Sequence, residues 1–156
     1  MKRFQDSLII LTEGHADEMA LHWLNTLKTS DKTPYHRSLP DEDVLTTGLS
    51  FYKNMREIYF GEKHYSEVFS FFDTYAEDRY RKGIPLDEIV YSLIMMRRNI
   101  WIYASVKSNV FAYLDHNQLL EIINKTLLIF DRGIYIVTKK VEELKKESAA
   151  HLNKQG

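Results

Sequence analysis

The segment 79–88, Arg-Tyr-Arg-Lys-Gly-Ile-Pro-Leu-Asp-Glu, does more than any other to limit what this chain folds into. Arg79, Arg81 and Lys82 are the cations a last helical turn favours, because they oppose its dipole. Gly83 follows them, where a left-handed residue ends a helix without strain from a side chain. Pro85 has no N–H and suits the first turn of a new helix, and Asp87 and Glu88 place negative charge on that helix's N-terminus. One helix therefore stops near Lys82 and another starts near Pro85. Only two packed helices satisfy so short a connection.

The same periodicity governs the rest of the chain. Apolar residues recur at helical rather than alternating spacing, and Pro34, Pro40 and Pro85 all fall at loops or first turns. The pattern predicts about five helices, an all-α domain. The first runs from about Phe4 to Lys28, with Gly14 as a bend; the second from Pro40, strengthened by Asp41, Glu42 and Asp43, to about Tyr59. The third covers about Lys63 to Lys82. The fourth starts at Pro85 and ends or kinks near Lys107–Asn109, or continues to about Leu114. Asp115 reads as an N-cap with Gln118 at the capping-box position, opening the fifth.

On the fourth helix, Arg97 stands four residues after Leu93 and four before Trp101, on or beside the apolar face. A buried guanidinium requires a partner, so Asp73, Asp78 or Asp131 is expected against it, unless the stem lies on the core and the head reaches water. The fifth helix carries Ile123, Leu127, Phe130, Ile134, Val137, Val141, Leu144 and Ser148 at alternating steps of four and three. That is a coiled-coil seam. Its last turns, from Val141 to Ser148, are otherwise charged. The seam, with Phe130, Ile134, Val137, Val141 and Leu144 as its members, is therefore expected to meet a second copy of itself in a parallel two-fold dimer. The competing use is packing back on its own domain, where one face serves equally well before Val137. A single domain over 1–145 is expected, with 146–156 as the end of that helix and a disordered tail.

Several function classes are disfavoured. Basic and acidic residues number 21 and 22 and are intermixed, so nothing attracts nucleic acid or a membrane surface. The absence of cysteine removes disulfides and thiolate metal sites. No apolar run approaches the roughly 20 residues that span a bilayer, and the N-terminal run is too short for a signal peptide. A cytoplasmic location is the expectation. His15 and His22 lie about 10.5 Å apart along a helix and cannot share one metal, and no carboxylate completes a set with Met19. No metal and no cofactor are expected. A haem would need a histidine deep in an apolar pocket, for which His22 is the nearest candidate. There is no glycine-rich phosphate loop and no nucleophile motif, so the chain is not expected to be an enzyme. The aromatic residues Trp23, Phe69, Phe72, Tyr75 and Trp101 are either plain core or the lining of a ligand pocket.

The residues Ala76, Arg79, Gly83, Ile84, Pro85, Leu86 and Glu88, followed by Arg97 and Trp101, resemble the N-terminal domain of RsbR-type stressosome co-antagonists. His22-Trp23-Leu24 with Leu27, Tyr35 with Leu39-Pro40, and Phe130-Asp131-Arg132 with Tyr135 resemble three further motifs of that family, and Ile129 and Gly133 depart from it. The resemblance implies a globin-like bundle without haem and with a long C-terminal helix. It also implies a sensory and dimerisation domain at the N-terminus of a bacterial signalling protein, such a co-antagonist or a sensor histidine kinase. A structural role for Arg79, Gly83, Pro85, Arg97 and Asp131 follows from the same match. A haem- or small-ligand-binding globin-like sensor is the alternative.

Overall fold

The computed structural model describes residues 2–60, 64–107 and 114–155, with side chains over 8–59, 68–106 and 114–155. Among these residues there are seven α-helices and no strand: α1 Lys2–Gly14, α2 Ala16–Thr29, α3 Asp41–Lys53, α4 Met55–Phe60, α5 His64–Arg81, α6 Leu86–Ile102 and α7 His116–Gln155. The chain is all-α, as its periodicity implies.

Seven helices replace about five because two expected helices are each interrupted once. Gly14 closes α1, and His15 adopts φ −114° and ψ 21° before α2 begins. The bonds His15 N–H to Leu11 O and Met19 N–H to His15 O bridge the break, so α1 passes to α2 without a loop. At Asn54 (φ −107°, ψ 19°) the side-chain amide donates to Ser50 O at 2.7 Å, and α3 gives way to α4. A short amide side chain competing for nearby backbone groups is a known helix interrupter.

The 79–88 junction forms as its residues dictate. Gly83 sits at φ +81°, the left-handed conformation of a helix stop. Its N–H bonds Tyr80 O and the Ile84 N–H bonds Arg79 O. Pro85 caps α6 at φ −65°. Past Ile102, α6 widens into a π turn over Tyr103–Lys107; residues 108–113, where the sequence predicts the helix to end, kink or continue, lie outside the described residues, and Leu114 is not helical. Asp115 caps α7 reciprocally: its Oδ1 accepts from Gln118 N–H at 2.9 Å, and Gln118 Oε1 accepts from Asp115 N–H at 3.0 Å.

The core lies between α2 and α3 on one side and α5, α6 and α7 on the other. Trp23, Phe51, Tyr52, Phe72 and Phe130 are fully buried at its centre. Phe51 meets Phe130 at 5.4 Å and Phe71 at 5.1 Å between ring centroids. Residue pairs fix the directions. Phe72 lies on Gly133 and Tyr80 meets Ser148, so α5 and α7 run parallel. Arg97 on α6 faces Asp131, while Pro85 and Leu86 lie near Val141, so α6 runs against both. Gly133 is required where it stands: a Cβ there would come within 2.5–2.6 Å of the Phe72 ring, itself wedged against Phe51 and Phe130.

α7 corrects the expected free seam. Phe130, Val137, Val141 and Leu144 are buried by the chain's own helices, and Ile134 is half-buried. The apolar stripe packs on α5 and α6 because parallel α5 offers Phe72, Ala76 and Tyr80 at matching positions along it. Val137 and Val141, expected to meet their counterparts across a dimer axis, are therefore already covered. The expected disordered tail is helical to Gln155, and residues 145–155 are exposed on every side.

Candidate functional site

The most unusual chemistry in the core is polar and charged. Arg79 and Glu88, at the two ends of the 79–88 junction, are each only 1% exposed. Ionic side chains are almost never so deeply buried without partners, and both have them.

Glu88 reaches the loop between α2 and α3. One of its oxygens accepts from Tyr35 N–H at 2.9 Å, and the other accepts from His36 N–H at 3.1 Å and lies 3.2 Å from His36 Nδ1. His36, in the 3₁₀ turn His36–Ser38, is fully buried. The loop is pinned from its other face as well. Lys28 donates to Arg37 O at 3.2 Å and to Leu39 O and pairs with Asp41 at 3.0 Å, and buried Thr33 donates to Leu27 O at 2.6 Å.

Burial pushes the His36 imidazole below its ordinary value; the Glu88 hydrogen bond opposes that, and the Arg79 and Lys28 charges reinforce it. The consequence for stability follows from linkage. The unfolded chain takes up the His36 proton near pH 6.5, before the folded chain does. Stability is therefore complete above about pH 6.5 and falls as pH drops through that value, by at most about 1.4 kcal/mol per pH unit, until the folded state titrates too. Urea unfolding at about pH 7.5 and 5.5 checks this. We expect the wild type to lose stability between them and His36→Asn to lose less; equal losses contradict the assignment to His36.

Arg79 lies under α3. Nη1 pairs with Asp78 Oδ2 at 2.5 Å, Nη2 donates to Thr47 Oγ1 at 3.3 Å, and the guanidinium sits 4.8 Å from the Tyr75 ring centroid. Among the described residues its Nε has no hydrogen-bond partner. Tyr75 continues the network: its hydroxyl is 2.5 Å from Ser92 Oγ, which donates to Ile89 O, while the Trp23 indole donates to Ser92 O at 2.8 Å. Burial raises the Tyr75 phenol. Helices α2, α5 and α6 are thus joined by hydrogen bonds through one serine.

The residues singled out in the sequence are distributed differently from the expectation. Trp23, Phe72 and Tyr75 are buried and packed, Trp101 is half-buried, and Phe69 is exposed beside Tyr135, so the five do not line one cavity. Phe72 occupies the space that Gly133 leaves, which closes the supposed pocket. Arg97 does face Asp131, at 3.7 Å, but Asp131 is 69% exposed and the pair is a surface one. Asp78 instead serves Arg79 and Lys82, and Asp73 serves Lys140. The deeply buried cation is Arg79. His22 is exposed on α2 and edges Tyr103 at 6.4 Å; the histidine in the core is His36. Among the described residues no three His, Asp or Glu side chains converge as a metal-ligand set.

Glu88 and His36 escaped notice because each has a simpler local reading. Glu88 is a dipole-matching charge in a first turn, and His36 is one residue of a polar loop.

No family model, curated protein or solved structure matches the chain. What can be said of its function rests on its own residues.

Proposed function

We propose that this chain is a non-catalytic sensory and dimerisation domain of a bacterial signalling protein, a globin-like module that works in the cytoplasm. On this reading it serves a stressosome co-antagonist or a sensor histidine kinase. The observation that carries the proposal is α7. Its 40 residues make a rod of about 60 Å. From Ile122 to Leu144 it is a wall of the core, Ser148 still meets Tyr80 of α5, and the turns from there to Gln155 are exposed on every side. A change in core packing that tilts such a helix displaces its distal turns, and helix shifts of this kind are an established way to pass a signal.

The dimer partner is a second copy, and the proposed surface is the outward face of α7. Leu120, Leu128 and Tyr135 are exposed there, Tyr135 by 67%, with Leu127 and Ile134 half-buried beside them. Leu128 and Tyr135 are one heptad apart, so parallel copies bring like to like across a two-fold axis. No helix among the described residues is long and apolar enough to cross a membrane. Light scattering at high micromolar concentration tests the reading. We expect a dimer for the wild type and a folded, cooperatively melting monomer for Leu128→Glu/Tyr135→Glu. A monomeric wild type refutes it.

A further inference from the structure

We propose that the turn 34–38 is an acid-released latch: a second proton on the buried His36 ring drives the turn off Glu88 and out into water. The latch stands on these residues alone; that its release is the stimulus of the domain rests on the sensory reading above.

The turn is held inward by Glu88. Tyr35 is 54% exposed, whereas the His36 ring is fully buried. Tyr35 N–H, His36 N–H and His36 Nδ1 all end on the Glu88 carboxylate. Firm anchors stand on either side of the turn. Before it, Thr33 donates to Leu27 O at 2.6 Å; after it, Lys28 donates to Leu39 O and pairs with Asp41. The bonds from Lys28 to Arg37 O and from Arg37 Nη2 to Ser30 O are exposed, so water replaces them at little cost. The segment therefore swings about its two anchors while the hairpin of α2 and α3 stays in place, which is how a short hinged loop moves.

The trigger is the ring itself. Nδ1 faces a carboxylate and so carries the first proton. Nε2 is then a bare lone pair, and among the described residues it has no hydrogen-bond partner. A second proton makes Nε2 a buried donor without an acceptor and the ring a buried cation, and both are costly. Three charged side chains act on the ring: Glu88 from α6 favours the cation, and Arg79 from α5 and Lys28 from α2 oppose it. Asp78 on α5 and Asp41 at the start of α3 stand behind those two cations as their partners. Burial is the largest influence and sets the net direction, against the cation. In water the ring takes its second proton near pH 6.5 and keeps its hydration. Acid therefore favours the swung-out turn over the latched one. Release also frees the first turn of α6, the helix whose Arg97 faces Asp131 of α7, and so acts on the rod proposed above.

Amide hydrogen exchange on the full ¹⁵N-labelled chain tests this at about pH 7.5 and 5.5, with each rate expressed as protection against an unfolded peptide at the same pH. Tyr35 and His36 N–H report on the latch; Leu93 and Val137, buried in α6 and α7, report on the whole domain. We expect Tyr35 and His36 to be less protected than Leu93 and Val137 at both pH values, and their exchange to ignore low urea, because a local opening exposes little surface. Their protection should fall about five- to tenfold at the lower pH, as one histidine proton allows. His36→Asn keeps an N–H for Glu88 but does not titrate, and its Tyr35 amide should lose the pH response. Tyr35 and His36 exchanging only with Leu93 and Val137, at the same protection and urea dependence, overturns the latch; so does protection that holds at pH 5.5. An equal pH response in a folded His36→Asn overturns the role of His36, and if that variant does not fold the wild-type rates still decide the latch. A monomer that releases the turn keeps the latch and sinks the dimeric sensor; a dimer whose Tyr35 and His36 amides ignore pH sinks the latch alone.

Discussion

Glu88→Ala should lower the stability of the domain by about 3–5 kcal/mol, among the largest effects of any single substitution in this chain. The carboxylate accepts from the part-buried Tyr35 N–H, from the buried His36 N–H and from the buried His36 side chain. Alanine leaves the two His36 donors inside without water, and each unsatisfied buried polar group costs about 1–3 kcal/mol. The loss of packing around a residue 1% exposed adds to that. Glu88→Gln keeps the size and one acceptor oxygen and should cost about half as much. Urea denaturation is the measurement, and for a domain of this size the melting temperature should fall by roughly 10 °C with alanine. A loss below about 1 kcal/mol would mean that the 30–40 loop does not depend on Glu88 for its place.

The Glu88 result also bears on how the two halves of the fold are joined. α2 and α3 form one hairpin, whose connecting loop ends on the first turn of α6 through Glu88. The Trp23 indole and Ser92 O make a second joint one turn further along α6, and Asn99 Nδ2 with Met19 O, at 2.7 Å, makes a third. The apolar surfaces alone would permit α2 to slide along α6. Directional bonds at three successive levels fix one register.

Much of this architecture was legible in the residues. The stop at Gly83, the start at Pro85 and the capping box of Asp115 and Gln118 follow from local chemistry that tertiary contacts seldom override, and each stands where its residues put it. Gly14 marked the place where the first helix is interrupted, beside His15. The break at Asn54 was not, because a single amide inside an otherwise continuous helical pattern shows only when its side chain turns back on Ser50 O. The candidate site was hardly legible at all. Arg79 and Arg97 both stand on helices among apolar residues, and spacing alone does not say which is covered. The covering residues, Thr47, Tyr75 and Asp78, come from two helices whose packing no local pattern encodes. Gly133 acts similarly: its lack of a side chain admits Phe72, so what looked like an aromatic pocket is filled.

The seam of α7 is the sharpest instance, and it yields the other large effect. Val137→Glu with Val141→Glu should unfold the domain, not merely separate two copies. A four-three apolar stripe fits either a partner helix or the chain's own core, and the pattern is the same in both. Here Val137 is fully buried and Val141 is 1% exposed, both within one chain. Two carboxylates at these positions would lose water inside the packed core, at a cost of several kcal/mol each. That sum is comparable with the whole stability of a domain of this size. Circular dichroism followed with temperature should show no cooperative melting for the double variant. Leu128→Glu/Tyr135→Glu, on the outward face of the same helix, should still melt cooperatively. If the Val137 and Val141 variant instead stays folded and turns from dimer to monomer, α7 forms its seam between copies and the packing of α7 on α5 described above does not hold in solution.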